Sequence, residues 1–384
     1  MARRVFFHVG LPKTGTTYVQ SVLWANRKAL AEQGVLFPGG PREHLWASLS
    51  VRERPGLAQR NPEAEGAWDR VVEALAAWDG DALVSHEFLG SASAEQAQRA
   101  VAAVAPAEAH VIVTARDLLT VLSSYWQEYV KHGFESTLDE FPVSRESGDE
   151  WGWEALDLAG VLRRWGGDLP PERVHLLVLP ERDAPRETLV LQFAELLGAD
   201  ASGFSFDRAR ENTSLGLVEA ELLRRVSPHL SGFGSALDRG VWIRGYLAHR
   251  ILVPREGERF LPSDARVAEL ARLADEGIAE IQRSSYDVVG DLERLRVTVA
   301  PGSLRHPDDV SPDELFEASL DTIAKLMQEM RVVRRNNSTL KKSLKDAERA
   351  LEEATAEDPE PESRWSRALD KVRRAGGGPD PETR

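Results

Sequence analysis

The chain of 384 residues contains no cysteine. This absence excludes disulfide bonds, thiol catalysis and cysteine-bearing metal sites, and it is compatible with a reducing compartment. No stretch has the length and hydrophobicity of a membrane-spanning segment, so no membrane span is predicted. The short apolar run after Arg3-Arg4 is interrupted by Pro12-Lys13 and lacks a small-residue cleavage site, which argues against a signal peptide. We therefore expect a cytoplasmic protein.

Positive charge is scarce relative to negative charge. The 48 lysines and arginines are outnumbered by 62 aspartates and glutamates, which gives a net charge of −14. Because nucleic-acid-binding proteins usually present a basic face, the sequence predicts no nucleic-acid partner. A small anionic ligand is not excluded, since it needs only a local positive pocket.

Short apolar runs alternate with helical periodicity over the first 200 residues. The runs are RVFFHV from residue 4, ALVSHE from 82, HVIVTAR from 110 and VHLLVLP from 174. Helical periodicity covers residues 16–31, 67–78, 94–104, 117–131, 154–166 and 185–197. The alternation predicts an α/β fold with a parallel sheet flanked by helices, followed by a mostly helical region over 200–300. Ligands of such sheets bind at the carboxyl ends of the strands.

The pattern changes after a predicted domain of residues 1–299. The Pro, Gly, Ser and Asp content of residues 300–314 predicts a linker. Residues 315–356 show a heptad repeat, with one seam of Ile323, Met330, Asn337, Leu344 and Leu351 and a second of Leu326, Val333, Leu340 and Ala347. This favours a coiled coil over an amphipathic helix packed back on the domain. It predicts a homodimer through residues 316–353, with a heterotypic partner as the alternative. Residues 357–384 have a composition typical of disorder.

The stretch FFHVGLPKTGTTYVQSVLW, residues 6–24, nearly matches a phosphate-binding loop. Gly10 and Gly15 are spaced as in Gly-x4-Gly-Lys-Ser/Thr, but Thr16 occupies the lysine position and the only lysine is Lys13. Backbone N–H groups in such a turn, and the start of the following helix, bind a phosphate whatever is attached to it. Lys13 is placed to meet charge on a departing group, and Thr17 keeps the second hydroxyl. The alternative is a structural Gly/Thr turn with an exposed lysine.

A second motif lies in VTARDLLTVLSSYWQEYVKHG, where Arg116 follows an apolar run and Ser124 comes eight residues later. An arginine at a strand end offers a fork of donors, and a serine two helical turns further on points its hydroxyl the same way. Ser123 faces about 100° away on a helix, which favours Ser124. The alternative for Arg116 is an ion pair with Asp117.

Together the two motifs resemble those of sulfotransferases that use 3′-phosphoadenosine 5′-phosphosulfate (PAPS), over residues 3 to about 299. The resemblance implies the P-loop NTPase-like sulfotransferase fold, PAPS as co-substrate and no metal. The residues that it assigns to the phosphosulfate are Lys13, Thr14, Gly15, Thr16 and Thr17. It assigns Arg116 and Ser124 to the 3′-phosphate.

One signature of the family is missing. The Gly-rich basic C-terminal segment of many members is absent, and RENTSLGLVEAELLRR, residues 210–225, is the candidate replacement. In that segment Arg210 is assigned to the cofactor, with Asn212 and Ser214 beside it. Asn-Thr-Ser before a helix is equally typical of a helix cap.

Sulfuryl transfer to a hydroxyl needs a base, and the strand end ALVSHEFL supplies His86 and Glu87. Aligning the strand ends with the family places Glu87 at the base position, and Ser85 where a second lysine is often found. The resemblance therefore implies Lys13 and Glu87 as catalytic residues and a hydroxyl of a carbohydrate, glycolipid or small molecule as acceptor. His86 and His44 are further candidates on the substrate side. The alternative for Glu87 is a cap or ion pair of the next helix.

Two other functions remain open from the sequence. A P-loop kinase acting on a small molecule would bind ATP with magnesium, but Thr16 in the lysine position argues against it. A non-catalytic scaffold would carry a degenerate sulfotransferase domain that serves the coiled coil. The presence of Lys13, Glu87, Arg116 and Ser124 argues against that reading.

Overall fold

The computed structural model describes residues 1–142, 151–181, 183–206, 214–299 and 304–356. The chain forms two units, Met1–Ser319 and Leu320–Arg384. The predicted disordered tail, 357–384, lies outside the described residues. Within the described part of the chain, no helix is both long enough and apolar enough to cross a membrane.

The first unit contains a six-stranded sheet, in which all the paired neighbours are parallel. Its strands are β1 Arg4–His8, β2 Val35–Leu36, β3 Asp81–Ser85, β4 Glu108–Ala115, β5 Val174–Val178 and β6 Asp287–Val289, in the order β2-β3-β1-β4-β5-β6. The α/β class and the parallel sheet are thus confirmed. The four predicted runs form the interior strands, whereas the short edge strands β2 and β6 went unassigned in the sequence.

Helices flank the sheet and fill the rest of the unit. They are α1 Thr16–Ala25, α2 Arg27–Glu32, α3 Pro41–Val51, α4 Leu57–Arg60, α5 Ala67–Ala77, α6 Ala94–Ala102, α7 Leu118–Lys131, α8 Leu158–Gly166, α9 Thr188–Leu196, α10 Leu217–Val226, α11 Ala236–Asp238, α12 Asp264–Ser284 and α13 Pro312–Ala356. A π-helical segment, Arg239–Leu252, follows α11. The first predicted helix is divided at Asn26, whose side chain donates hydrogen bonds to the carbonyls of Val22 and Ser205.

The two faces of the sheet are buried by different helices. Because successive side chains of a strand point to opposite faces, Phe6 and Phe7 of β1 enter separate hydrophobic clusters. Phe7 packs in a cluster with residues of α5, α6, α8 and α12, and Phe6 in one with residues of α1, α2 and α9. Each buried phenylalanine contributes about 1.5–3 kcal/mol from the area removed from water. The sheet is therefore fixed from both sides, and its carboxyl-terminal edge is held in place.

The described part of the predicted linker, residues 304–314, belongs to the first unit and packs against other parts of it. Arg305 forms an isolated parallel bridge with Phe260, and its guanidinium lies 2.7 Å from Glu314. Val310 and Ala318 are buried in a third hydrophobic cluster with residues of α7 and α10. The helix begins at Pro312, and the first unit ends at Ser319.

The described part of the second unit consists of the remainder of α13, which agrees with the predicted C-terminal helix. The side chains of its heptad seams are largely exposed: 57% for Ile323, 56% for Met330, 66% for Leu340 and 61% for Leu344. The helix is present, while its pairing as a coiled coil stays a prediction.

Candidate functional site at the strand ends

The loop between β1 and α1, residues 9–15, has the backbone of an anion-binding turn. Gly10, Lys13 and Gly15 have φ values of 46°, 64° and 80°, in the left-handed region. The N-cap of α1 is Gly15, which has no side chain, so no N-cap side chain accepts a hydrogen bond from the first N–H groups of this helix. The first N–H groups of a helix have no partner within the helix, so this end suits a negatively charged ligand. Gly10 is required sterically, because a Cβ atom there would lie 2.6 Å from Thr16 Cγ2.

The three threonines of the loop have different environments. Thr14 and Thr16 are buried, whereas Thr17 is exposed. The Thr14 hydroxyl donates to the carbonyl of Leu11 at 2.6 Å, so this side chain points into the protein. A ligand in the loop would therefore meet Thr14 through its backbone, and Thr17 through its backbone and hydroxyl.

A hydrogen-bonded chain of neutral side chains lies behind the loop. We call it the neutral network, and its members are Gln20, Ser85, His8, Thr114 and Thr14. The separations along it are 3.1 Å from Gln20 Nε2 to Ser85 Oγ, 2.8 Å from Ser85 Oγ to His8 Nδ1, 3.4 Å from His8 Nε2 to Thr114 Oγ1 and 2.7 Å between the two threonine hydroxyls. It joins the ends of β1, β3 and β4 to the loop.

The donor and acceptor of each hydrogen bond in the neutral network follow from its two ends, where Thr14 donates to Leu11 and Gln20 donates to Ser85. Thr14 uses its proton on Leu11, so Thr114 donates to Thr14 and accepts from His8 Nε2–H. His8 Nδ1 then accepts from the Ser85 hydroxyl. This pattern requires a neutral imidazole, and burial lowers the pKa of His8 to about 3. The neutral network therefore acts as a structural support.

Glu87 lies directly beside the loop. It follows β3 in a 3-10 turn, Glu87–Ser91, and its Cβ lies 3.7 Å from the position that a Cβ atom would take on Gly10. Its Oε2 is buried and has no hydrogen-bond partner among the described residues. Glu87 does not cap the next helix, because Ser93 caps α6 through a capping box. A buried carboxylate oxygen without a partner is costly, so its presence next to the loop suits an incoming hydroxyl.

The two histidines on the predicted substrate side are engaged within the protein. His44 Nε2–H donates to the carbonyl of Pro38 at 2.8 Å, and Nδ1 accepts from the backbone N–H of Ser85 at 3.1 Å. Burial lowers the pKa of His44 to about 4, which keeps it neutral. His86 accepts from the N–H of Phe88 through Nδ1, and burial lowers its pKa. These contacts favour a structural role for His44, and they leave only Nε2 of His86 for a ligand.

Arg116 directly follows the last residue of β4 and lines a cavity. The cavity has a volume of about 230 Å³, and its lining includes Leu11 of the loop, Arg116, Leu158 of α8 and Ile278 of α12. Arg116 Nε is 3.6 Å from Asp117 Oδ2, so the alternative ion pair is also present. At this distance a partly exposed pair contributes little to stability, and it does not prevent a second role.

Two adjacent serines, Ser123 and Ser124, lie in the middle of α7. Ser124 is half-buried, whereas the neighbouring Ser123 has a buried hydroxyl that lacks a hydrogen-bond partner in the described part of the chain. A buried hydroxyl without a partner gains most from a ligand, so Ser123 joins Ser124 as a candidate. Arg210 lies outside the described residues. Ser214 is described but does not cap α10, because the N-cap of that helix is Gly216.

A cluster of charged side chains lies on the Lys13 side of the loop. We call it the charged cluster, and its members are Lys13, Glu128, Lys131 and Arg244. Lys13 Nζ lies 2.8 Å and Lys131 Nζ 3.9 Å from Glu128 Oε2, while Arg244 Nε contacts Oε1. His132 Nε2 is 3.8 Å from the same Oε1.

The protonation of the charged cluster follows from its burial. Burial alone would raise the pKa of Glu128, but Lys13, Arg244 and Lys131 together hold that pKa well below its usual value. Burial lowers the pKa of Lys131 to about 8, against the attraction of Glu128. Burial also lowers the pKa of His132 to about 4. At neutral pH the cluster thus contains a carboxylate, three cations and a neutral imidazole beside them.

Four of these residues, Glu128, Lys131, His132 and Arg244, were not predicted from the sequence. Glu128, Lys131 and His132 are spaced three and four residues apart on α7, which was a visible sign that they share one helix face. Arg244 had no comparable sign, because only the chain path brings the π-helical segment to Glu128.

The comparisons with known proteins identify no relative. No family model matches the chain, and no curated protein and no solved structure matches it.

Proposed function

We propose that the first unit is a sulfotransferase that moves the sulfuryl group of PAPS to a hydroxyl of a carbohydrate, glycolipid or small molecule. The observation that carries the proposal is the position of Glu87 beside the loop that contains Lys13. The Oε2 of Glu87 is buried and has no hydrogen-bond partner among the described residues, and no side chain caps α1 where the loop ends. A base and a phosphate-binding turn are the two groups that sulfuryl transfer needs in one place.

Each part of the loop has a role in this proposal. The backbone N–H groups at Gly15, Thr16 and Thr17 bind the 5′-phosphosulfate at the start of α1. Lys13, held at a left-handed φ, supplies positive charge to the same ligand. Arg116 binds the 3′-phosphate, and the cavity that it lines receives the nucleoside. These are the roles that the resemblance to the P-loop NTPase-like sulfotransferase fold implies for these residues.

The transfer of the sulfuryl group from PAPS to a hydroxyl needs a proton acceptor and a positive charge at the leaving group, and Glu87 and Lys13 supply them. Glu87 takes the proton of the acceptor hydroxyl as the acceptor oxygen forms a bond to sulfur. The bond between sulfur and the bridging phosphate oxygen breaks, and Lys13 stabilises the negative charge that develops on that oxygen. The products are a sulfate ester and 3′-phosphoadenosine 5′-phosphate (PAP).

Ligand-dependent unfolding tests the cofactor. A ligand present at a hundred times its dissociation constant adds about 2.7 kcal/mol to the free energy of unfolding. We expect PAPS and PAP to raise the melting temperature, and ATP with magnesium to raise it much less. Equal stabilisation by ATP would favour the kinase instead. Transfer from radiolabelled PAPS to hydroxyl acceptors separates an enzyme from a scaffold that binds PAPS without turnover.

We further propose a cytoplasmic, parallel homodimer through residues 316–353. The exposed seam of α13 is the support, since its leucines would be buried against a second copy and paired Asn337 side chains would fix the register. Light scattering on the full chain should give a dimer, and Leu340→Lys with Leu344→Lys should give a monomer. Ser343→Lys, outside both seams on the same helix, is the matched control and should stay dimeric. A monomeric wild type would exclude the dimer.

A further inference from the structure

The 3-10 turn that carries Glu87, residues Glu87–Ser91, is held by an arginine of α8. We call it the Glu87 turn. Arg164 Nη2–H donates to the carbonyl of Gly90 at 2.7 Å, and Nε–H donates to that of Ala92, directly after the turn, at 3.0 Å. Within the described part of the chain, the hydrogen bonds of this half-buried guanidinium all go to main-chain carbonyl oxygens. Since its fork of donors is planar and rigid, it fixes the backbone that it binds.

The same guanidinium also reaches a second turn. Arg164 Nη2–H donates to the carbonyl of Glu154 at 2.8 Å. This residue belongs to the 3-10 turn Trp153–Ala155, and Trp153 lines the same cavity as Arg116. One side chain of α8 therefore joins the Glu87 turn to a wall of that cavity.

The Glu87 turn is enclosed on two sides. On one side its backbone lies against the loop, because a Cβ atom on Gly90 would be 3.2 Å from the carbonyl oxygen of Val9 and 3.6 Å from that of Gly10. On the other side lies α8, where the buried Trp165 donates through Nε1–H to the carbonyl of Leu89 at 3.0 Å. The turn is thus held between the phosphate-binding loop and α8, and hydrogen bonds fix it on the α8 side.

We propose that Arg164 is a positioning residue for sulfuryl transfer. It fixes the carboxylate of Glu87 relative to the nucleotide by holding both the Glu87 turn and the turn in the cavity wall. A general base must lie within hydrogen-bond reach of the proton that it takes, and a misplacement of about 1 Å can lower a rate about 100-fold. The inference rests on the proposed function for the role of Glu87, whereas the hold on its turn rests on hydrogen bonds within this chain.

Transfer rates in two backgrounds test the role. Arg164→Gln should lower kcat about 10- to 100-fold, while the affinity for PAP stays nearly unchanged. Added to Glu87→Gln, the same change should lower the remaining rate by less than about two-fold, because no base is left to position. A merely structural residue would lower the rate by the same factor in both backgrounds. That result, or an unchanged kcat in Arg164→Gln, would overturn the proposal.

Arg164→Lys carries the same test if Arg164→Gln does not fold. It keeps the positive charge but lacks the planar fork, so kcat should again fall in the wild-type background and stay nearly constant in Glu87→Gln. Circular dichroism establishes that each variant is folded. A wild-type kcat in Arg164→Lys would show that the charge is sufficient and would overturn the role of the three hydrogen bonds.

Hydrogen exchange measured by mass spectrometry tests the hold on the turn without any substrate. The N–H groups of Leu89 and Ala92 are hydrogen-bonded at 3.1 Å and 2.9 Å to carbonyls of the same segment. Their exchange should become about ten-fold faster in Arg164→Gln, because the turn opens more often. Unchanged exchange there would overturn the proposal. A wild type that transfers nothing from PAPS would overturn the proposed function instead, and the exchange would still decide whether Arg164 holds the turn.

Arg99→Gln is the matched control. Arg99 is an exposed arginine of the neighbouring helix α6, and it is paired with Glu53 at 2.9 Å. Its substitution removes a guanidinium without changing the hydrogen bonds of the Glu87 turn. Both kcat and the exchange of the turn should therefore equal those of the wild type. Losses as large as those of Arg164→Gln would contradict a specific role for Arg164.

Discussion

The two sides of the loop at residues 9–15 contrast in charge and in hydrogen bonding. Behind it, the neutral network is buried and its hydroxyls donate and accept within the protein. In front, the charged cluster brings Lys13, Lys131 and Arg244 to Glu128, and Glu87 has a buried oxygen without a hydrogen-bond partner in the described part of the chain. A completed network stabilises one conformation, whereas a buried polar atom without a hydrogen-bond partner gains from a ligand that supplies one.

The contrast separates residues that hold the loop from residues that act on a ligand. His8 and Thr114 hold it, because their polar atoms are already used by neighbours. In the proposed function Lys13 and Glu87 act on the ligand, because Lys13 belongs to the loop and Glu87 lies beside Gly10. Substitutions on the two sides should therefore change different measurements.

The largest expected effect is that of Glu87→Gln on turnover. Loss of the base should lower the rate of sulfuryl transfer by about two to four orders of magnitude. Because the change keeps the size of the side chain, the affinity for PAP should stay nearly unchanged. Initial rates with radiolabelled PAPS, together with calorimetric titration of PAP, measure the two quantities. Near-normal turnover would assign the base to another group, first of all His86.

Lys13→Ala should reduce turnover by about two to three orders of magnitude, since its charge is needed where negative charge develops. Its effect on PAP binding should be much smaller.

Arg116→Ala should show the opposite division, with weaker binding of PAP and unchanged binding of adenosine 5′-phosphate, which lacks the 3′-phosphate. Calorimetric titrations of both nucleotides make this comparison. Parallel losses for both nucleotides would contradict the role of Arg116.

Behind the loop, Thr114→Val should change stability instead of chemistry at the ligand. It removes the hydroxyl that joins His8 to Thr14 and leaves a buried donor without a partner. The expected loss is about 1–3 kcal/mol in the free energy of unfolding, measured by urea titration. Thr339→Val, at an exposed position of α13, should stay within about 0.5 kcal/mol of the wild type. A stable Thr114→Val variant would show that the neutral network is dispensable.

The smallest expected effect is on the acid dependence of stability. The pKa of His8 is lowered to about 3 by burial, while in the unfolded chain it has its ordinary value of about 6.5. Below pH 6.5 the unfolded chain therefore binds a proton that the folded protein does not, so stability is complete above this pH and falls as the pH decreases. Between pH 7.5 and 5.5 the loss is about 1.4 kcal/mol for this histidine.

His8→Gln should remove that part of the acid dependence. Urea titrations at pH 7.5 and 5.5 would show a difference between the two pH values that is smaller than in the wild type by the stated amount. His229→Gln is the control, because His229 lies outside the neutral network in a 3-10 turn after α10. If His8→Gln keeps the full difference, His8 titrates normally and the network is not neutral.

Local patterns in the sequence determined much of the fold. The apolar runs that became β1, β3, β4 and β5 were readable because a buried parallel strand is apolar along its whole length. The spacing of Gly10 and Gly15 identified the loop, because only particular residues allow its backbone conformation. The position of Glu87 at the sheet edge also followed from the sequence, since it comes two residues after the end of β3 and parallel strands end at one edge of the sheet.

Other features depended on the path of the chain. The short strands β2 and β6 exist through pairing with β3 and β5, and no local pattern of their own predicts them. The described part of the predicted linker has the composition of a loop, yet Val310 is buried by contacts with distant helices.

The contrast across the loop is itself a tertiary property. The sequence placed Lys13 in the loop, but its partner Glu128 is 115 residues away and Arg244 is further still. The composition gives a net charge of −14 and no sign of a local group of cations. The fold is what brings Lys13, Lys131 and Arg244 together around Glu128 at the loop. The physical reason is that periodicity and turn chemistry act between near neighbours in the chain. Desolvation and charge pairing depend on which distant residues the folded chain brings together.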